Sequence, residues 1–226
     1  MLQVEPREAS PDLRQTAPHS LDRLIPLLRD ASVGRERRPY LHSDGSAFLH
    51  MEDCWVSTES IVAEGRFLRL VSVDTWEYVQ RTQASGVVCI AAATDNDHVI
   101  LVEQFRPPLS ATVIELPAGL AGDEGNQHES FETAARRELL EETGYEAADW
   151  TPLCDVASSA GLTDEMVTVF RARGLTKIGS GGGVAGESIT VHEVPLDSLF
   201  DWLLRAAEDG KKVDSRVYGL PAFLKM

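Results

Sequence analysis

Three carboxylates on one short stretch carry the clearest chemical signal in the chain. In Arg137-Glu138-Leu139-Leu140-Glu141-Glu142-Thr143-Gly144-Tyr145, Glu141 and Glu142 follow Glu138 at i+3 and i+4. On a helix these spacings set all three acids along one flank. Like charges so placed destabilise an isolated helix by roughly 0.2–0.5 kcal/mol per pair, and Arg137 relieves only part of this through Glu141 at i+4. A hard divalent cation resolves the conflict. Mg²⁺ takes carboxylate, carbonyl and water oxygens and shares its sites with substrate phosphates. Taken alone, a run of acids is commonly a solvated helix face. The wider pattern argues otherwise: Glu129 stands eight positions before Arg137, and Glu115-Leu116-Pro117-Ala118-Gly119 introduces the segment.

The elements that must position these acids can be read around them. Residues 129–143 are rich in helix formers and stop at Gly144, so they form the helix that bears the acids. A second helix covers Leu199–Glu208, after an Asp197 or Ser198 cap and before Gly210. A third covers Ser215–Leu224 despite Pro221. Gly86–Thr94 and Val99–Phe105 are apolar runs separated by Asp95-Asn96-Asp97-His98, which reads as a tight hairpin. Further strands are expected at Thr112–Leu116, Pro152–Ala157, Met166–Ala172 and Ile189–Val194. Ser60–Val73 and Thr75–Thr82, rich in β-branched and aromatic residues around Gly65 and Asp74, predict two or three strands of a small antiparallel sheet. Strands and helices alternate irregularly. This favours an α/β (α+β) fold with a mixed sheet sandwiched between helices over a doubly wound parallel one. Gly179–Gly186 (GSGGGVAG) reads as a mobile loop inside the domain.

Composition sets the outer bounds. The 226 residues carry a formal net charge of -15, which argues against a protein that tracks nucleic-acid backbone. The three cysteines, Cys54, Cys89 and Cys154, are odd in number and form no CxxC pair, so neither a disulfide framework nor a zinc site is indicated. With no apolar run of membrane-spanning length and no secretory leader pattern, the expectation is a soluble protein of the cytoplasm with no membrane partner. Three segments are expected: 1–50 as a poorly structured extension, 51–83 as the small N-terminal sheet, and 84–226 as the main domain.

Together, Gly119, Glu129 and the Arg137–Tyr145 run resemble the Nudix box, whose pattern is Gly, five residues, Glu, seven residues, then Arg-Glu-apolar-x-Glu-Glu-x-Gly-apolar. One departure stands out. Nine residues separate Gly119 from Glu129, so Ala121–His128 (AGDEGNQH) contains an insertion. Lengthening a surface loop costs little, so the helix motif should be undisturbed, with His128 a solvent-exposed loop residue.

The resemblance implies a metal-dependent hydrolase of the Nudix fold, using Mg²⁺ or alternatively Mn²⁺. In its terms Glu138 and Glu142 are metal ligands, Glu141 holds a metal-bound water or a second ion, and the Ala118 carbonyl completes the site. Arg137 and Glu129 brace the helix. Outside the box, Glu103-Gln104-Phe105-Arg106, Glu115–Gly119 and Ser158–Glu165 resemble the ADP-ribose pyrophosphatase branch, with similarity over roughly residues 55–225. That branch implies a nucleoside diphosphate sugar as substrate, foremost ADP-ribose cleaved to AMP and ribose 5-phosphate. Gln104, Arg106 and Glu115 are then the substrate-binding candidates, and the fixed guanidinium fork of Arg106 suits phosphate. Glu187 after the glycine loop is the candidate general base, with Glu165 its competitor. The 51–83 sheet implies a homodimer. Trp55 and Trp76 are either its anchors or internal core, and either of them or Phe67 could stack on the base. Two alternatives remain open: a UDP-sugar or GDP-mannose pyrophosphatase, and a non-catalytic module that senses a nucleotide.

Overall fold

A computed structural model of the chain describes residues 58–123, 128–184 and 186–226. The expected extension at 1–50, Trp55 and the middle of the lengthened loop (124–127) lie outside the described residues.

The apolar run after Gly86 explains the architecture. Strand β4 (Gly86–Ala92) is buried along almost its whole length, and its alternating side chains feed two separate cores. Val87, Cys89 and Ala91 join one core, which also holds Leu199, Leu203, Val217 and Leu220. Val88, Ile90 and Ala92 join the other, with Ala134, Ala135 and Leu139. Helix α1 (Phe131–Thr143) therefore covers one face, while α2 (Leu199–Glu208) and α3 (Ser215–Phe223) cover the opposite one. Each fully buried Val, Leu or Ile side chain contributes roughly 1.5–3 kcal/mol, which is why so continuous an apolar run belongs at the centre.

Two four-stranded mixed sheets result. In one the order is β7 (Ala118–Ala121), β4, β9 (Met166–Lys177), β8 (Tyr145–Ala157), with β4 and β9 parallel and the other pairs antiparallel. In the other the order is β10 (Thr190–Pro195), β5 (His98–Arg106), β6 (Ala111–Glu115), β11 (Lys212–Val213), with only β11 parallel to its neighbour. A separate antiparallel sheet of β1 (Ser60–Glu64), β2 (Leu68–Val73) and β3 (Trp76–Arg81) precedes them. No helix among the described residues is long and apolar enough to cross a membrane.

Four local expectations change. The turn at residues 95–98 forms, with Asp97 at φ 54° and Thr94 N–H donating to the His98 carbonyl. Yet β4 and β5 share only the Ala93–Val99 bridge and diverge into different sheets, so they are not a hairpin. Strand β8 begins at Tyr145 rather than Pro152, running directly off the helix terminator Gly144. Trp76 is 56% exposed and so is not core. Lastly, the first half of the glycine loop is bound rather than loose. Ile178 and Gly179 N–H groups donate to the Gly144 carbonyl at 2.9 and 3.0 Å, Gly182 N–H to Glu142 O at 2.9 Å and Gly183 N–H to Glu141 O at 3.0 Å. These bonds satisfy carbonyls that the end of α1 leaves without intrahelical partners.

Only glycine fits at the centre of this contact. Gly181 has φ +64°, and a Cβ there would stand 2.5 Å from Thr143 C and 2.6 Å from the Glu142 carbonyl oxygen. Gly181→Ala should therefore destabilise the protein by about 1–3 kcal/mol, measured by urea unfolding. Gly161→Ala, where an added Cβ meets nothing within 4 Å, should be close to neutral. Equal effects of the two would contradict the docking described.

Candidate active site

Helix α1 is held at both ends. Ser130 caps it by accepting from Thr133 N–H at 3.1 Å, and Gly144 closes it at φ 74° with its N–H on the Leu140 carbonyl. Its buried stripe of Ala134, Ala135 and Leu139 packs against β4 and fixes its rotation. That rotation turns Glu138 and Glu142 toward β7.

Glu138 packs directly on Gly119, where any Cβ would sit 2.0 Å from the Glu138 carboxyl. The glycine at the head of the motif is thus a space requirement of the acid. Glu142 is 5% exposed, and its Oε2 accepts from Ala118 N–H at 3.0 Å. The Ala118 contribution shown here is its amide. Arg137 stands behind the two acids as a clamp. Its Nε donates to Glu129 at 3.1 Å, Nη2 to the Leu120 carbonyl at 2.9 Å, and Nη1 to both Glu138 (2.8 Å) and Glu141 (3.2 Å). The Arg137 clamp and the Gly122 N–H hold the Glu129 carboxyl below its ordinary range.

A cavity of about 410 Å³ brings several of the sequence candidates together: Gln104, Arg106, Ala118, Glu138, Glu142 and Glu187 all line it, as does Glu165. Glu141 and Arg137 are not among the lining residues. Glu115 is buried behind the wall, accepting from Arg106 Nε at 2.8 Å. Glu187 Oε2 accepts from Val184 N–H at 3.0 Å on its own loop, and its charge acts on Glu142. Glu165 is gripped through one oxygen by Arg81 Nε (2.9 Å) and Nη2 (2.8 Å). Phe67 and Trp76 are exposed and do not line the cavity, and His128 is exposed in a turn.

The electrostatics of this cavity are unfavourable as it stands. Burial raises the Glu142 carboxyl to about 8, reinforced by Glu138 and Glu187 and opposed by the Ala118 N–H and Arg106. Burial likewise raises Glu138 to about 7 against the pull of Arg137. Among the described residues no three acidic, histidine or cysteine side chains converge on a single ion position. Glu138 and Glu142 nonetheless face one cavity, and burial disfavours the ionised form of each. Oxygen donors with surplus negative charge are what a hard divalent cation requires, so the residues fit such an ion.

Sequence reasoning missed Arg81 and Arg216, both of which line the cavity. They come from β3 and α3, far from the motif in sequence, and no local pattern marks them. It also missed β7, whose four residues AGLA carry almost no strand signal and pair because β4 offers an edge.

Comparison with known proteins agrees with this geometry. The family model described as NUDIX domain matches residues 82–216, and the chain belongs to the Nudix family. It is 31% identical to an ADP-sugar pyrophosphatase of Mus musculus, across 75% of this chain and 87% of the relative. Two bacterial relatives match over shorter stretches. A methanol dehydrogenase activator of Bacillus methanolicus is 34% identical over 52% of this chain and 62% of its own. An ADP-ribose pyrophosphatase of Bacillus subtilis is 43% identical over 40% and 47%. The chain thus spans about half to three fifths of those two proteins. A solved structure described as ADP compounds hydrolase aligns with a TM-score of 0.58 and 24% identity, over 74% of this chain and 92% of that one, a likeness of fold.

The raised carboxyls fix a sign for stability against pH. A group whose folded pKa lies above its unfolded value stabilises below the unfolded value and loses that contribution as pH rises through the folded one. From near 4.5 up to about 8, the metal-free protein should lose stability through Glu138 and Glu142. Glu142→Gln should flatten that loss when Tm is followed with chelator present. A wild-type Tm that climbs steadily over this range, or an unchanged slope in the variant, would contradict it.

Proposed function

We propose that this chain is a divalent-cation-dependent hydrolase of nucleoside diphosphate sugars, with ADP-ribose its foremost substrate and AMP and ribose 5-phosphate its products. The observation that carries the reading is the single cavity lined by Glu138, Glu142, Glu187 and Arg106. The relatives named for ADP-sugar and ADP-ribose point to the same substrate class.

Glu138 and Glu142 would hold the cation, Mg²⁺ or Mn²⁺, with Glu141 in reserve through Arg137. The ion supplies neutralisation of the negative charge on the diphosphate. Arg106 binds phosphate oxygens through the terminal amino groups that its Nε contact with Glu115 leaves free among the described residues. Glu187 takes a proton from the attacking water as its oxygen bonds to phosphorus, and the bridging oxygen departs with the electron pair of the broken bond. Glu187 is favoured over Glu165 because Arg81 already occupies Glu165. Retention of Glu138, Glu141 and Glu142 favours catalysis over a purely sensing module.

The test is product separation after incubation with Mg²⁺ and a panel of ADP-ribose, UDP-glucose and GDP-mannose. ADP-ribose should be cleaved with the highest kcat/KM. Glu187→Gln should lower kcat by about 10²–10⁴-fold, while Glu165→Gln lowers it less than about tenfold. Absence of metal-dependent cleavage of every diphosphate would overturn the enzymatic reading. A wild-type rate in Glu187→Gln would overturn the choice of base.

A further inference from the structure

A second cavity, of about 400 Å³, adjoins the catalytic one, and the reaction outlined above does not employ it. Arg81, Val87 and Glu165 stand in the walls of both, with Arg81 and Glu165 ion-paired at 2.8 Å. Glu138, Glu142, Glu187 and Arg106 line only the catalytic cavity. A diphosphate held by those groups therefore has this second space beside it. A nucleoside diphosphate sugar carries one arm on each side of its diphosphate, so the chemistry of the second wall decides which arm it suits.

The donors of that wall are largely committed. Gln80 Nε2 donates to Glu59 at 3.2 Å and to Asp164 Oδ2 at 2.9 Å, which uses both its hydrogens. Arg69 gives Nε to Gln80 Oε1 at 2.7 Å and sets Nη2 3.5 Å from Glu59, while Arg81 gives Nε and Nη2 to Glu165. The Ser85 hydroxyl donates to the Ala121 carbonyl at 3.0 Å. Thr168, opposite Asp155 in the β8–β9 register, donates to Asp155 Oδ1 at 2.7 Å. The acceptors are open by contrast. Asp155 Oδ2 and Asp164 Oδ1 have no partner among the described residues, and the Ser85 and Thr168 oxygens keep acceptor lone pairs. A complementary ligand must bring donors and no negative charge, because Asp155, Asp164 and Glu165 outnumber Arg69 and Arg81. A phosphate fails on charge. An adenine edge brings one amino group against several ring nitrogens that themselves need donors. Sugar hydroxyls each donate and accept, and a carboxylate is a recurrent partner of a ribose hydroxyl.

We propose that this second cavity is the subsite for the sugar beyond the diphosphate, the arm released as a sugar phosphate, with Asp155 accepting a hydrogen bond from one of its hydroxyls. The side chains of Phe131 and Met166, in the same wall, offer apolar surface to the C–H face of the ring. This inference rests on the hydrolase reading given under Proposed function and assigns one arm of that substrate to a place in the fold. Asp155 is remote from the groups that hold the diphosphate, so its removal should weaken binding of the sugar arm without slowing the chemical step.

The test compares a substrate with the same molecule shorn of its distal sugar, using the full chain with Mg²⁺. KM is measured for ADP-ribose, and Ki for ADP as a competitive inhibitor. Asp155→Ala, at an exposed position, should raise KM for ADP-ribose by about tenfold, the loss of one hydrogen bond to a charged group. It should lower kcat by less than about threefold and change Ki for ADP by less than about twofold. Thr168→Val, which keeps a β-branched side chain in the strand, should raise KM in the same direction by a smaller factor, again with Ki for ADP unmoved, and it decides the matter if Asp155→Ala does not fold. A merely structural role would lower Tm and move KM and Ki together. The inference is overturned if KM stays unchanged in both variants, or if Ki for ADP rises by the same factor as KM, which would assign the cavity to the nucleoside. If the native chain prefers UDP-glucose or GDP-mannose, the same comparison is made with UDP or GDP. If it cleaves no member of the panel, the hydrolase reading fails and this inference falls with it. If it cleaves one and the variants show no selective rise in KM, this inference alone fails.

Discussion

Two carboxylates that face one cavity govern the active end of this protein. Glu138 and Glu142 lie a helical turn apart on α1, facing a cavity whose nearest compensation is one guanidinium shared among several acids and one backbone amide. Burying an ionised carboxylate without adequate partners costs several kcal/mol, so the surrounding structure is organised around tolerating them. Gly119 yields the space for Glu138. Ala118 gives its N–H to Glu142, and Arg137 ties Glu129, Glu138, Glu141 and the Leu120 carbonyl into one block. What remains is a pair of carboxylates whose ionised forms burial disfavours, a cost that a bound divalent cation would offset.

The helix that bears the acids is fixed from three directions. Its apolar stripe is set by β4, its N-terminus by Ser130, and its C-terminus by the glycine loop, whose N–H groups donate to the helix's last carbonyls. The third link has a chemical consequence, because the same loop continues to Glu187. The proposed metal ligands and the proposed base are therefore joined through a few backbone hydrogen bonds, and Gly181 is the residue on which their spacing depends.

Much of this was legible in the sequence where chemistry imposes spacing. The i, i+3, i+4 acids, the terminator Gly144 and the continuous apolar run of β4 each state their role locally, as does the irregular alternation that implies a mixed sheet. Other features had no local signature. Strand β7 exists because the edge of β4 recruits four residues with little strand preference of their own, and β4 and β5 part after a single bridge because their side chains serve different sheets. Arg81 and Arg216 reach the cavity only through tertiary folding. The glycine loop was misread for a related reason: composition suggests freedom, whereas positive-φ glycines here permit a close backbone approach that binds the loop.

The central claim is that a divalent cation completes the Glu138–Glu142 pair. Since the metal-free carboxyls titrate at about 7 and 8, ion binding near neutral pH must expel protons. Calorimetric titration of Mg²⁺ or Mn²⁺ near pH 7, repeated in buffers of different ionisation enthalpy, reads this directly. The account predicts saturable binding with net proton release, of roughly one proton per site, and with both binding and release greatly reduced in Glu142→Gln. Binding without proton release, or undiminished in Glu142→Gln, would contradict it.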